Sequence, residues 1–238
     1  MAVVVRNRFY AQVALALALF TIIGFARTFY LRFLSDLPPL VTLVQLHGLA
    51  FTAWLVLFVI QTRFIAAHRV QWHMRLGIAG ALLAAVVTAL AVAVLFHSAA
   101  IPRVRPSGLT PSQFVLVGFV SIGLFAGFVT LGLAFRRRAD LHKRFMVLAV
   151  IAALGPATGR FMQLLALSKY SYFIQPTIAA AFITWCLVYD WRKNRIVHPA
   201  FVIGGLVVIA SWPLKDMAAR SDWWAPLGEW VARVGAGV

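Results

Sequence analysis

The sequence predicts an all-α polytopic transmembrane bundle of about seven spans, and three observations carry that expectation. The 238 residues are 63% hydrophobic, with a mean hydropathy of +0.90. Only 12% are charged, about half the share of a soluble domain. Several apolar runs reach about 18 residues or more, long enough for a helix to cross a bilayer. The expected spans are about 9–31, 40–61, 75–97, 113–135, 145–167, 171–190 and 199–214.

Each span has its own signals. The first begins on a basic segment and runs apolar to about Phe29 without a small-residue cleavage site, so it reads as a retained span rather than a signal peptide. The second follows Pro38-Pro39, the third ends before Pro102 and Pro106, and the fourth starts beside Pro111; proline at a span end costs little. The fifth contains Gly155-Pro156, which predicts a kink or an opened backbone ladder. The sixth has Pro176 near its start and holds the only cysteine, Cys186. A lone cysteine excludes an intrachain disulfide and a CxxC motif, and Cys186 reads as a small core residue. The seventh is short, and a re-entrant segment is its alternative. Residues 1–214 then form the bundle and 215–238 an amphipathic tail on its outer face. That tail offers Ser221 or Asp222 as an N-cap and carries Trp223, Trp224 and Trp230, rings that favour the headgroup region. A partner-binding helix is the alternative for it.

Charge sets orientation and excludes one partner. The net charge is +16, but Lys and Arg fall between apolar runs, as in loops facing anionic lipid, and nucleic acid is not expected. Thirteen lie on one side: Arg6, Arg8, Arg63, Arg69, Arg75, Arg136, Arg137, Arg138, Lys143, Arg144, Arg192, Lys193 and Arg195. Eight lie on the other: Arg27, Arg32, Arg103, Arg105, Lys169, Lys215, Arg220 and Arg233. The first side is therefore expected to be cytoplasmic, with the N-terminus inside, the C-terminus outside and anionic lipid at the inner face.

Two ionisable residues lie deep inside spans, His47 in the second and Arg160 in the fifth. Such groups cost roughly 2.5–3.5 kcal/mol on insertion scales and usually face a partner, a cavity or a ligand. His47, Phe51, Trp54, Phe58, Gln61, Ile65 and His68 share one helical stripe. Antiparallel packing of spans two and five would bring His47 and Arg160 to one level in the outer leaflet. Gln163, Gln45 and Arg27 would lie nearby. The candidate cofactor-binding set is His47, Arg160, Trp54 and Gln163. For Trp54 the alternative is plain packing; for Arg160 it is a bond to a carbonyl freed by Pro156. At the inner ends, His68, His73 and His142 are candidate metal ligands, with Asp140 beside them. Arg69, Arg75, Lys143 and Arg144 oppose a cation there and favour lipid phosphate. The motif H-x-R before an apolar run occurs at His73 and again at His142, which suggests that spans two–three and four–five are repeated hairpins.

The segments LHGLAFTAWLVLFVIQ, H-x4-H-x-R-L-G and RRRADLHKRFMVLA ending in PATGR resemble a widespread class of uncharacterised bacterial integral membrane proteins. The resemblance covers roughly Val41 to Arg160. It implies a bacterial inner-membrane location and marks His47, His73, His142 and Arg160 as characteristic polar positions; it implies no activity. Enzyme motifs such as GxSxG, HExxH, a Walker loop or a Rossmann fingerprint are absent from the sequence, and whether the protein is an enzyme stays open. Three readings remain. One is a redox-associated scaffold binding haem, a quinone or a divalent metal. Another is a non-catalytic subunit or assembly factor of a larger membrane complex. The third is a small-solute or anion transporter using Arg160, a reading weakened by the lack of a mid-span carboxylate.

Overall fold

The computed structural model describes residues 8–101 and 108–236. Arg6, Arg103 and Arg105 of the charge asymmetry, and Pro102 and Pro106, lie outside the described residues. In chain order the helices are α1 (Phe9–Phe25, continued by a π-turn at Ala26–Tyr30), α2 (Thr42–Ala66), α3 (Val70–Ala99), α4 (Pro111–Ala134), α5 (Ala139–Ala152), α6 (Gly155–Leu164), α7 (Ser171–Asn194), α8 (Pro199–Ala219) and α9 (Ala225–Ala236). Among the described residues there is no strand. Seven helical stretches are long and apolar enough to cross a membrane, with α5 and α6 together making the fifth. The chain is thus an all-α bundle of seven apolar helices, as its hydropathy predicts.

The helices outrun the apolar runs. The third starts at Val70 rather than 75, the fifth at Ala139 rather than 145, and the second ends at Ala66 rather than 61. Basic residues continue a helix readily, because their aliphatic stems lie along it while the charged heads reach water. The seventh shows the same effect at its other end: α8 continues through Pro213 to Ala219, so the bundle extends five residues past 214 and includes Lys215. The connections are correspondingly tight. His68 and Arg195 each adopt a left-handed conformation (φ 60° and 57°) just past a helix end. At the first, Arg69 N–H bonds the Phe64 carbonyl and His68 N–H the Ile65 carbonyl, closing α2 with a Schellman-type cap. At the other face, Thr110 and Gln113 form a capping box with Pro111 at the first turn of α4.

Gly155-Pro156 does break span five. Proline lacks the N–H that would bond the carbonyl four residues back, so α5 ends at Ala152 and α6 restarts at Gly155. The break separates two packing environments. Val147, Leu148, Ala149, Val150, Ile151 and Ala152 are consecutive and all buried, so α5 is enclosed on every side, against α4, α8, α7 and α1. The second half, α6, packs on α1 and α7. The approach to α1 is close: a Cβ on Gly24 would lie 2.9 Å from the Ala157 carbonyl oxygen.

Span two packs chiefly on α1 and α3, with no comparable packing against span five. The expected pairing of spans two and five is therefore corrected: α1 packs against both α2 and the two halves of span five. The tail also differs from a purely interfacial helix. One face of α9 packs on α3 and α4, where Trp224 and Val231 join Leu95, Ala99 and Val115 in a second small core. Trp224 Nε1–H donates to the Ser112 carbonyl at 2.8 Å.

Candidate functional site

The stripe on α2 is a column of rings. His47 lies over Phe51 (centroids 6.3 Å, 20° between planes), Phe51 over Trp54 (6.2 Å, 14°) and Trp54 over Phe58 (5.8 Å, 2°). Phe125 of α4 meets Trp54 edge-on at 5.0 Å and also packs on Phe51. Trp54 is 3% exposed, so its observed contacts are those of packing. The column follows from i, i+4, i+7, i+11 spacing on a face turned into the bundle.

His47 at the end of this column is half-buried, and its Nδ1 is buried without a hydrogen-bond partner. The backbone of Val87 on α3 lies beside the ring. Arg160 is elsewhere. Its Nε donates to Thr28 Oγ1 at 2.9 Å, one Nη donates to the Pro156 carbonyl at 2.9 Å, and the guanidinium sits 4.0 Å from the Phe25 ring centroid. The carbonyl bond is the alternative the sequence offered for this residue. No hydrogen bond joins His47 to Arg160, because the break and the α1–α6 contact turn Arg160 onto the π-turn of span one. The rest of the expected outer cluster disperses: Gln163 and Arg27 are exposed, and Gln45 Nε2 donates to Leu40.

At the face carrying the basic loops, two of the three expected histidines meet. The His73 and His142 rings lie 5.9 Å apart and nearly perpendicular (77°). His142 Nδ1–H donates to the Gly132 carbonyl at 2.7 Å, near the end of α4. His73 faces the Gln61 carbonyl, near the end of α2, and its Nδ1 is buried and unpaired. The two hairpins thus repeat one contact: a histidine opening the second helix meets a carbonyl closing the first. Gln61 Oε1 is likewise buried without a partner. His68 does not join them, since its left-handed cap leaves it exposed. Asp140 is drawn away by His198, whose Nε2 is 3.2 Å from its carboxylate. His198 Nδ1 accepts from the Ala200 N–H, so Nε2 carries the proton it donates. Among the described residues no three His, Cys, Asp or Glu side chains are grouped to hold a metal ion, which corrects the three-histidine set to a pair.

Two buried cations escaped the sequence reading. Arg144, counted as a loop residue, is 2% exposed and forms a bidentate pair with Asp190, itself 1% exposed, at 2.7–3.0 Å. Its other Nη donates to the Asp140 carbonyl. Lys215 is 5% exposed; its Nζ donates to Ser121 Oγ at 3.1 Å and lies 3.5 Å from the Trp212 ring centroid. A usable signal did exist for the first: Asp190 is the only acid inside the apolar run of span six. For Lys215, the expected seventh span stops at 214, one residue short, whereas the helix continues to Ala219 and carries the lysine inward.

Comparisons with protein-family models, with curated proteins and with solved structures each return no match to this chain.

Proposed function

We propose that this chain is a redox-associated scaffold of the bacterial inner membrane that holds a haem or a metal ion through histidine. One observation carries the reading: His142 is tethered through Nδ1 to the Gly132 carbonyl, and His47 and His73 each lie beside a neighbouring backbone segment with one ring nitrogen near it and the other bare. For His47 and His73 that other atom, Nδ1, is buried and unpaired. A neutral imidazole so tethered can only accept at its second nitrogen, and this is the arrangement in which metal-bound histidine is held. A quinone carbonyl also only accepts, so it suits these atoms less well than haem iron or a divalent ion. With metal–nitrogen bonds of about 2.0–2.1 Å, two imidazoles on one ion have centroids roughly 5–6 Å apart, which the His73–His142 spacing matches. The electrostatic objection weakens, because Asp190 compensates Arg144. When bound, such a group would supply electron transfer; the chain's own residues orient it and exclude water. His47, His73 and His142 are three of the four positions marked by the family resemblance.

Orientation and lipid contact belong to the same proposal. The basic face is cytoplasmic by the positive-inside rule, and a cavity of about 360 Å³ lined by Arg8, Gln12 and Arg63 suits an anionic headgroup there. A reporter active only in the cytoplasm, fused after Val238, should stay silent.

The deciding experiment is purification without a histidine tag, followed by an absorption spectrum and elemental analysis. The expected result is a haem band or a stoichiometric metal that falls in His73→Ala and His142→Ala, or in His47→Ala. A colourless, metal-free protein would refute the reading.

Membership of a larger membrane complex is the second reading, favoured by α9. Opposite its packed face, Trp223, Leu227, Trp230 and Val234 form an exposed apolar stripe. Copurification of a constant partner in mild detergent, lost in Trp230→Ser, would support it; migration as a lone chain would count against it.

A further inference from the structure

We propose that Lys215 anchors an anion-binding site inside the bundle, in the half away from the basic loops, and that its ligand is an oxyanion of the phosphate class. The ammonium is 5% exposed within a helix that spans the membrane. In its protonated form it offers three donors and a positive charge. One donor meets Ser121 Oγ, and the Trp212 ring covers one side. Ser121 contributes no charge: its own proton goes to the Val117 carbonyl at 2.8 Å, and it only accepts from the lysine.

Among the described residues no carboxylate pairs with this cation. The chain has six acids, and all are among the described residues. Asp140, Asp190, Asp216 and Glu229 pair with Arg138, His198, Arg144, Arg220 or Arg233. Asp36 and Asp222 form no ion pair with Lys215 among the described residues. Carrying an uncompensated charge into a low-dielectric interior costs several kcal/mol, and an ionisable group buried inside a spanning helix is by default a candidate for a ligand contact.

The surroundings favour an anion as the missing charge. Trp212 touches the point where span five restarts: a Cβ on Gly155 would lie 2.9 Å from the Trp212 ring and 3.5 Å from Gln175 Oε1. The positive end of the α6 dipole therefore lies beside the same indole that the ammonium covers. Register relates the site to the ring column on α2. Phe51 packs on Phe125; one turn further from the basic face on the same two helix faces come His47 and Ser121. The cation at the level of His47 is thus Lys215 rather than Arg160. A free phosphate and the phosphate of a lipid headgroup offer the same oxygens to this ammonium.

The test uses the full chain in uncharged detergent, in a buffer without phosphate, and reads the melting midpoint. The probes are inorganic phosphate and, separately, nanodiscs of phosphatidylglycerol compared with phosphatidylcholine. One of them should raise the midpoint by about 2–4 °C. The rise should vanish in Lys215→Met and persist in Lys215→Arg. A response to phosphate identifies a free solute; a response to phosphatidylglycerol alone identifies a headgroup. Lys215→Gln serves the same comparison if the methionine variant is recovered unfolded. Absence of any shift in the unaltered protein, or an equal shift in Lys215→Met, overturns the proposal. It does not depend on the histidine-held cofactor, since a colourless, metal-free protein would still show the phosphate response.

Discussion

Arg144 and Lys215 are both cations almost wholly buried within membrane-spanning helices, yet their surroundings differ in kind. Arg144 meets Asp190 through two parallel N–H···O bonds and gives another to a carbonyl of its own helix. Lys215 meets a hydroxyl and an indole face. The first arrangement is complete within the chain, as a planar guanidinium permits. The second leaves a point charge without its opposite. Burial alone therefore does not separate a structural charge from a functional one; the presence of a counter-charge does.

Breaking the complete pair should have the largest effect. Asp190→Ala strands Arg144 and should cost about 3–5 kcal/mol, read as a large loss of melting temperature or of folded yield. The double variant Arg144→Met with Asp190→Leu should recover most of that loss. An equal cost in the single and double variants would contradict the pairing. Lys215→Met should act in the opposite direction, stabilising the phosphate-free protein by about 1–3 kcal/mol, because it removes an unsatisfied buried group. Destabilisation there would mean that Ser121 and Trp212 already suffice.

Smaller effects sharpen the contrast. His142→Ala removes one bond to the Gly132 carbonyl and should cost about 0.5–1.5 kcal/mol in thermal unfolding, in addition to any loss of bound haem or metal. Least of all should come from the largely solvent-facing pair of Arg220 with Asp216, which joins the last turn of α8 to its capping residue. Arg220→Ala should cost about 0.3–0.5 kcal/mol, and less at high salt. A cost approaching that of Asp190→Ala would show that solvent does not screen it.

The architecture was legible because apolar run length is a direct reading of bilayer thickness, and the break at Gly155-Pro156 because proline has no N–H to give. The ring column from His47 to Phe58 was legible from three-four spacing, and the meeting of His73 with His142 from the repeated H-x-R opening. Neighbour relations were not. Spacing on α2 fixes which residues share a face but not which helix that face meets, so Arg160 was placed opposite His47 when the α1–α6 approach at Gly24 turns it to Thr28. Charge was misread at helix ends for a related reason. A Lys or Arg near the end of an apolar run looks the same in sequence whether it snorkels to water, as Arg63 does, or turns inward, as Arg144 does.

The interruption at Ala153 and Leu154 gives span five a mechanical character. On one side of it, α5 is clamped in the interior by the Arg144–Asp190 pair and by neighbours all round. On the other, α6 is fastened to the end of α1 through Gly24, Thr28 and Phe25. Between them the ladder lacks the rung Pro156 would have supplied, and the turn is held by the bonds from the Ala153 and Leu154 N–H groups to the Val150 and Ile151 carbonyls. The first residue of α6, Gly155, packs on the Trp212 ring, so a displacement at this joint would pass directly to that indole and to the ammonium beside it.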